Sequence, residues 1–180
     1  MILKSDQEVS IAKVQMVFAA FNDSVKERNS LQFDADLMRR VRVIDATSAG
    51  TAVLELDVGN EYSNRGGSIH GGAAALILDQ FTTTAFIPLA ATAAKQKDGY
   101  HPPGGFTRAM NITYLRPLPL PATIRVVSEV VQHGRSMSLV RGKITDKGGE
   151  KLYSVSEHHK GCTLGAAWAA GGGGLGKCKL

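Results

Sequence analysis

Apolar residues recur at helical spacing over residues 6–28, where Val14, Val17, Phe18, Phe21 and Val25 form one stripe among Lys13, Asn22, Asp23 and Lys26. That period predicts a surface helix with a single buried face. From Leu31 to Asp45, and again from Thr51 to Val58, the pattern changes to alternation, with Glu55 and Asp57 set between Leu54, Leu56 and Val58. The reading is two strands joined by a turn at Ser48-Ala49-Gly50. Ala73 to Ala94 is then apolar on every face, and Asp79 is its one formal charge. Such a segment belongs inside a protein as a buried helix. Pro88 is expected to end it, because a proline in a helix interior removes a hydrogen bond and clashes with the preceding turn. A long loop over 89–105 follows, of a length that in a compact domain is often functional. Four extended segments come after it: Phe106–Leu115, Thr123–Gln132, Ser136–Thr145 and Lys151–His158.

Six strands with short connections imply an antiparallel sheet, and one all-apolar helix implies that the sheet wraps around it. The predicted fold class is α+β, with the 6–28 helix as an addition. Residues 1–161 read as a single domain. The Gly165–Gly176 tract lacks large side chains to build a core, so 162–180 is expected to be a flexible tail.

Composition narrows the functional classes. The 180 residues are 43% hydrophobic and 21% charged, as in an ordinary globular domain. A net charge of +5 favours an anionic partner, yet the basic residues are dispersed and aromatics make up 6%. A nucleic-acid platform is therefore not expected. No run reaches the roughly 20 apolar residues of a membrane helix without Asp79 or a proline inside it, and no membrane partner is expected. The start, Met1 to Glu8, lacks the apolar run of a secretory signal. Cys162 and Cys178 read as free thiols in a reducing compartment.

Asp79 is the first candidate for chemistry, because an ionised carboxylate among apolar neighbours is costly unless it is paired, hydrogen-bonded or placed in a cleft. Before it, Gly71 and Gly72 open the helix, where the first N–H groups have no intrahelical acceptor and the dipole favours negative charge. A substrate carbonyl could approach such a backbone closely, as an oxyanion hole requires; equally, the glycines could serve only as a tight entry to a buried helix. At about 1.5 Å per residue, the eight residues from Gly71 to Asp79 span roughly 12 Å, too far to serve one reacting atom. If both act, Asp79 of one subunit faces Gly71 of another, which predicts a two-fold dimer with shared sites.

Asn64, the His70-Gly71-Gly72 run, Asp79 nine residues after the histidine, and the strand Met110 to Pro117 together resemble the hotdog-fold acyl-CoA thioesterases of the PaaI type, and within them the eukaryotic acyl-CoA thioesterase 13 group. The likeness runs from about Leu31 to Gly161. It implies a hotdog fold assembled as a homodimer or homotetramer, hydrolysing an acyl-CoA to free acid and CoA at the dimer interfaces, with no cofactor beyond the CoA of the substrate. By the same resemblance, Asp79 is the base or nucleophile and Gly71 N–H polarises the thioester carbonyl. Asn64 helps hold water or thioester, His70 supports the pocket, and Thr107 lies near the attacked water. Each has a structural alternative: a turn for Asn64, a helix cap for His70, a strand position for Thr107. Arg116, Arg135 and Lys160 flank strand ends and are candidate contacts for CoA phosphates. The 89–105 loop is longer than the family pattern, which leaves the acyl pocket's shape open.

Other chemistries fit less well. No Gly-x-Ser-x-Gly is present, no Gly-Lys-Ser/Thr follows a strand, and adjacent His158 and His159 point to opposite faces of a strand, so no metal site is expected. A hotdog hydratase or dehydratase and a non-catalytic acyl-CoA-binding protein are the competing readings. Cys178-Lys179-Leu180 looks like a variant of the Ser-Lys-Leu address read by the peroxisomal import receptor, so the expected location is peroxisomal, otherwise cytosolic.

Overall fold

The computed structural model describes residues 5–28, 34–93, 105–134 and 137–161. Most of the 89–105 loop, Arg135, both cysteines, the glycine-rich tail and Cys178-Lys179-Leu180 lie outside the described residues.

Helix α1 (Asp6–Arg28) begins with a reciprocal cap: Glu8 N–H donates to Ser5 Oγ (3.2 Å), and Ser5 N–H donates to Glu8 Oε2 (2.9 Å). The two bonds satisfy donors that have no intrahelical acceptor. Val14 and Phe18, two members of the predicted stripe, are buried, and the Phe18 ring packs 6.2 Å from that of Phe81. The segment expected to be extended from Leu31 instead holds a short helix, α2 (Ala35–Arg40), and the first strand starts later, β1 (Arg42–Thr47). Salt bridges from Arg39 and Arg40 back to Asp36 are the helical i,i+3 and i,i+4 pairs that favour this turn. Strand β2 (Thr51–Val58) follows the turn closed by Gly50, whose φ of +89° suits glycine.

The apolar segment folds as helix α3 (Gly71–Thr82), a 3₁₀ turn at Thr83–Ala85, and helix α4 (Phe86–Ala93). Pro88 does not end the helix. It sits in the first turn of α4, where its missing N–H is not needed, and the break comes earlier, at the threonine run. By length and composition Gly71–Leu89 would suffice to cross a membrane; here α3 lies on the sheet instead, with Ile77, Leu78 and Phe81 fully buried.

The remaining strands are β3 (Phe106–Tyr114), β4 (Ala122–His133), β5 (Met137–Asp146) and β6 (Leu152–Gly161). All six form one antiparallel sheet in the order β1-β2-β4-β5-β6-β3. Even-numbered residues of β2, β4, β5 and β6 face inward and supply Leu54, Leu56, Ile124, Val126, Val140 and Ile144 to the core. Strand β3 has one paired side and ends the sheet, directly beside β6.

Candidate active site

Asp79 lies two turns into α3 and is about one-third exposed (36%). Thr107 of β3 donates to its Oδ1 at 2.6 Å. Behind them His158 of β6, with no exposed surface, places Nε2 2.9 Å from Thr107 Oγ1 and 3.3 Å from Asp79 Oδ1. Its other ring nitrogen, Nδ1, is 2.7 Å from Thr82 Oγ1, and that hydroxyl also lies 2.7 Å from the Leu78 carbonyl oxygen. One turn of α3 and two strands thus converge on one carboxylate.

A bulge makes this convergence possible. Met110 pairs with His158, and Ala109 with His159, but Thr107 rather than Arg108 is opposite Lys160. The extra residue switches which positions of β3 face the helix. Unbulged, the strand would aim Arg108 at Asp79; bulged, it aims the threonine.

The electrostatics follow from burial. Desolvation is the main cause of the low pKa of His158, about 4; the Lys160 charge adds to it, and the Asp79 carboxylate opposes it. The imidazole is neutral at physiological pH. Lys160 is also buried, and its Nζ donates to Thr83 Oγ1 at 3.0 Å. Burial lowers its pKa while Asp79 raises it. This placement corrects the expectation that Lys160 meets a CoA phosphate from a strand end: the ammonium points inward, behind Asp79. Arg116 is exposed beyond the end of β3, where a phosphate can reach it, and Arg135 lies outside the described residues.

At the far end of α3, His70 Nδ1 accepts the Gly72 N–H at 3.0 Å, so His70 is the helix cap. Gly71 occupies the first helical position, and its carbonyl accepts the Tyr114 hydroxyl at 2.9 Å. Asn64 Oδ1 accepts the N–H groups of Gly66 (2.8 Å) and Ser68 (3.2 Å), and its Nδ2 reaches the Ile69 carbonyl at 3.5 Å. Asn64 therefore shapes the loop that delivers Gly71, and Gly67 completes the turn at φ +75°. The Ile69 N–H donates to Leu118 O (2.8 Å) and the Leu120 N–H to Gly67 O (3.1 Å), which fasten this loop to the segment after β3.

The site is thus two clusters on one helix. Asp79, Thr107, His158, Thr82 and Lys160 gather at one end; Asn64, His70, Gly71 and Tyr114 gather at the other. Within one chain they do not meet.

The Thioesterase superfamily profile matches residues 66–153, from the glycine loop through α3 to the start of β6. The zebra fish thioesterase superfamily member 2 superposes with a TM-score of 0.66 at 26% identity, covering 84% of this chain and 96% of that one. This chain has the hotdog fold and is similar to the thioesterase superfamily. Human acyl-coenzyme A thioesterase 13 is 26% identical over 124 residues, 69% of this chain and 81% of that protein. The PaaI protein of E. coli shares the hotdog fold at TM-score 0.57 and 18% identity, over 79% of this chain and 91% of its own. So does a Streptococcus pneumoniae thioesterase solved with coenzyme A, at TM-score 0.56 and 22% identity, over 68% and 85%.

Three residues of this hotdog site escape a reading of the sequence: His158 as a partner of Asp79, Thr82 beneath it, and Tyr114 on the helix tip. A signal for His158 exists in β6, where Ser154, Ser156, His158 and Lys160 alternate with Tyr153 and Val155. The polar set faces inward, marking a stretch of inner face built for something other than packing.

Proposed function

We propose that the chain is an acyl-CoA thioester hydrolase that works as a two-fold dimer, with Asp79 of one subunit facing Gly71 of the other. The observation that carries this reading is the Asp79 carboxylate itself: partly open, in an apolar helix, and held at one oxygen by Thr107 at 2.6 Å. The names of its relatives and the coenzyme A in the streptococcal structure support the substrate class. Asp79 takes a proton from water as the oxygen attacks the thioester carbonyl carbon. The developing oxyanion is stabilised by the partner's Gly71 N–H at the α3 tip, where the helix dipole adds to the bond. A C–O bond forms, the C–S bond breaks, and the proton held by Asp79 passes to the departing CoA thiolate. Asn64 offers its remaining Nδ2 proton to the thioester, and Arg116 is the candidate for the CoA phosphates. A pair of such dimers in a homotetramer would keep both seams intact.

The hydratase reading requires a histidine and an acid poised over substrate carbon. His158 does pair with Asp79, but with no exposed surface it has no route to substrate.

The test is free-thiol release from a panel of acyl-CoA substrates, comparing the native chain with Asp79→Asn. Losing the base should lower kcat by about 10²–10⁴ while circular dichroism stays unchanged. Native-like turnover in Asp79→Asn, or hydration of an enoyl-CoA without thiol release, would overturn the proposal.

A further inference from the structure

We infer that His158 is a positioning residue that keeps the Thr107 proton on Asp79 Oδ1, so that Oδ2 alone is left to take a proton from water. The inference rests on the proposed role of Asp79 and deepens it. Among the described residues, both close contacts of the carboxylate fall on Oδ1: Thr107 Oγ1 at 2.6 Å and His158 Nε2 at 3.3 Å.

The contact with the carboxylate decides the arrangement. Thr107 has one hydroxyl proton and two neighbours that want it, Asp79 Oδ1 and His158 Nε2. A neutral imidazole carries one N–H, on either ring nitrogen. With the proton on Nδ1, the ring donates to Thr82 Oγ1, and Nε2 presents a lone pair to Thr107 and to the carboxylate. Thr107 must then abandon one of them, and two acceptors face each other in a buried space, which is costly. With the proton on Nε2, both contacts of the carboxylate face a donor. Nε2–H donates to Thr107 Oγ1 and Thr107 donates to Asp79 Oδ1, over 2.9 and 2.6 Å, while the Thr82 hydroxyl, 2.7 Å from both Nδ1 and Leu78 O, shares its one proton between them.

The donors therefore run one way, from the imidazole through Thr107 to the acid. Its consequence for chemistry is specific. Thr107 gives its proton to Asp79, so it orients the carboxylate rather than the water. Oδ2, with the freer lone pairs, is the basic atom.

Two measurements test this. The first is long-range ¹⁵N–¹H correlation of the His158 ring in the native full-length protein at pH 7, expected to show a protonated Nε2 and a bare Nδ1. The reverse pattern overturns the inference, whether or not the protein hydrolyses anything. The second compares His158→Leu with His158→Gln, whose amide N–H₂ can still reach Thr107. His158→Leu should lower kcat by roughly 10- to 100-fold, part of the full general-base contribution, with KM within about twofold. His158→Gln should recover to within about fivefold of native. Native kcat in the Leu variant, or equal losses in both variants with KM raised, overturns it. If the native protein releases no thiol from any acyl-CoA, the proposed activity fails, and the ring spectrum alone decides where the proton sits.

Discussion

His158 ties stability to pH. Burial depresses its pKa from 6.5 to about 4 in the folded chain, so between those values the unfolded chain binds a proton that the folded one refuses. Stability from this group is fully present above pH 6.5 and is lost as pH falls toward 4. The full effect is about 3 kcal/mol, since one pKa unit corresponds to about 1.4 kcal/mol. Urea denaturation at pH 7 and at pH 4.5 should show most of that loss, and His158→Gln should show a flatter profile. A second residue-scale expectation concerns Thr107: Thr107→Ser keeps the hydroxyl and should keep kcat within a few-fold, whereas Thr107→Val should lower it by about 10-fold or more, read by thiol release. Asp79 stands out in the sequence because a lone charge in an apolar helix demands a reason, whereas Thr107 enters only through the family resemblance. His158 was hidden because alternation in β6 puts Tyr153 and Val155 on the apolar parity, and apolar parity normally means inside. Here the polar parity is inside, because that part of the inner face lies beneath the acid rather than beneath the core.

Among elements, the contact of α3 with β5 decides how firmly this arrangement is held. Gly142 of β5 faces α3, and a Cβ there would collide with Thr82 Cγ2 and come within 2.8 Å of Ser156 Oγ. Gly142→Ala should therefore lift α3 at the residue that touches His158. We expect a loss of about 1–3 kcal/mol, the usual effect of overpacking, measured by urea denaturation, with a fall in kcat in the same variant. Strand boundaries were legible to within a residue or two for β2 through β5, because alternation and glycine or proline punctuation are both strong there. Less legible were α2, too short to show a period, and the break at Thr83–Ala85. There the Thr82 hydroxyl joins His158 and the Thr83 hydroxyl joins Lys160, long-range contacts that local pattern does not carry. The bulge at Arg108 is likewise silent in sequence, yet it alone determines whether a threonine or an arginine meets the acid.

For the whole molecule, the roughly 12 Å between Gly71 and Asp79 along α3 makes subunit exchange a direct test. Gly71→Pro removes one N–H at the first helical position, where proline is well tolerated, and His70 before it is already extended at φ −67°, ψ 136°. Gly71→Pro and Asp79→Asn should each be nearly inactive. Mixed after reversible dissociation, they should regain about a quarter of native activity, because half the dimers are mixed and each mixed dimer holds one intact site. Mixtures no more active than the parents would mean that each site lies within one chain.

Strand β3 is third in the chain but pairs with the last strand, β6, at the end of the sheet. Thr107 and His158 meet across 51 residues, and Thr82 and His158 across 76. A chain emerging from the ribosome therefore carries Asp79, Thr82 and Thr107 long before the imidazole that organises them. The cluster around Asp79 is complete only when the final hairpin closes, a late and long-range step of the kind that slows folding, so on the proposed mechanism half-made copies would be chemically silent.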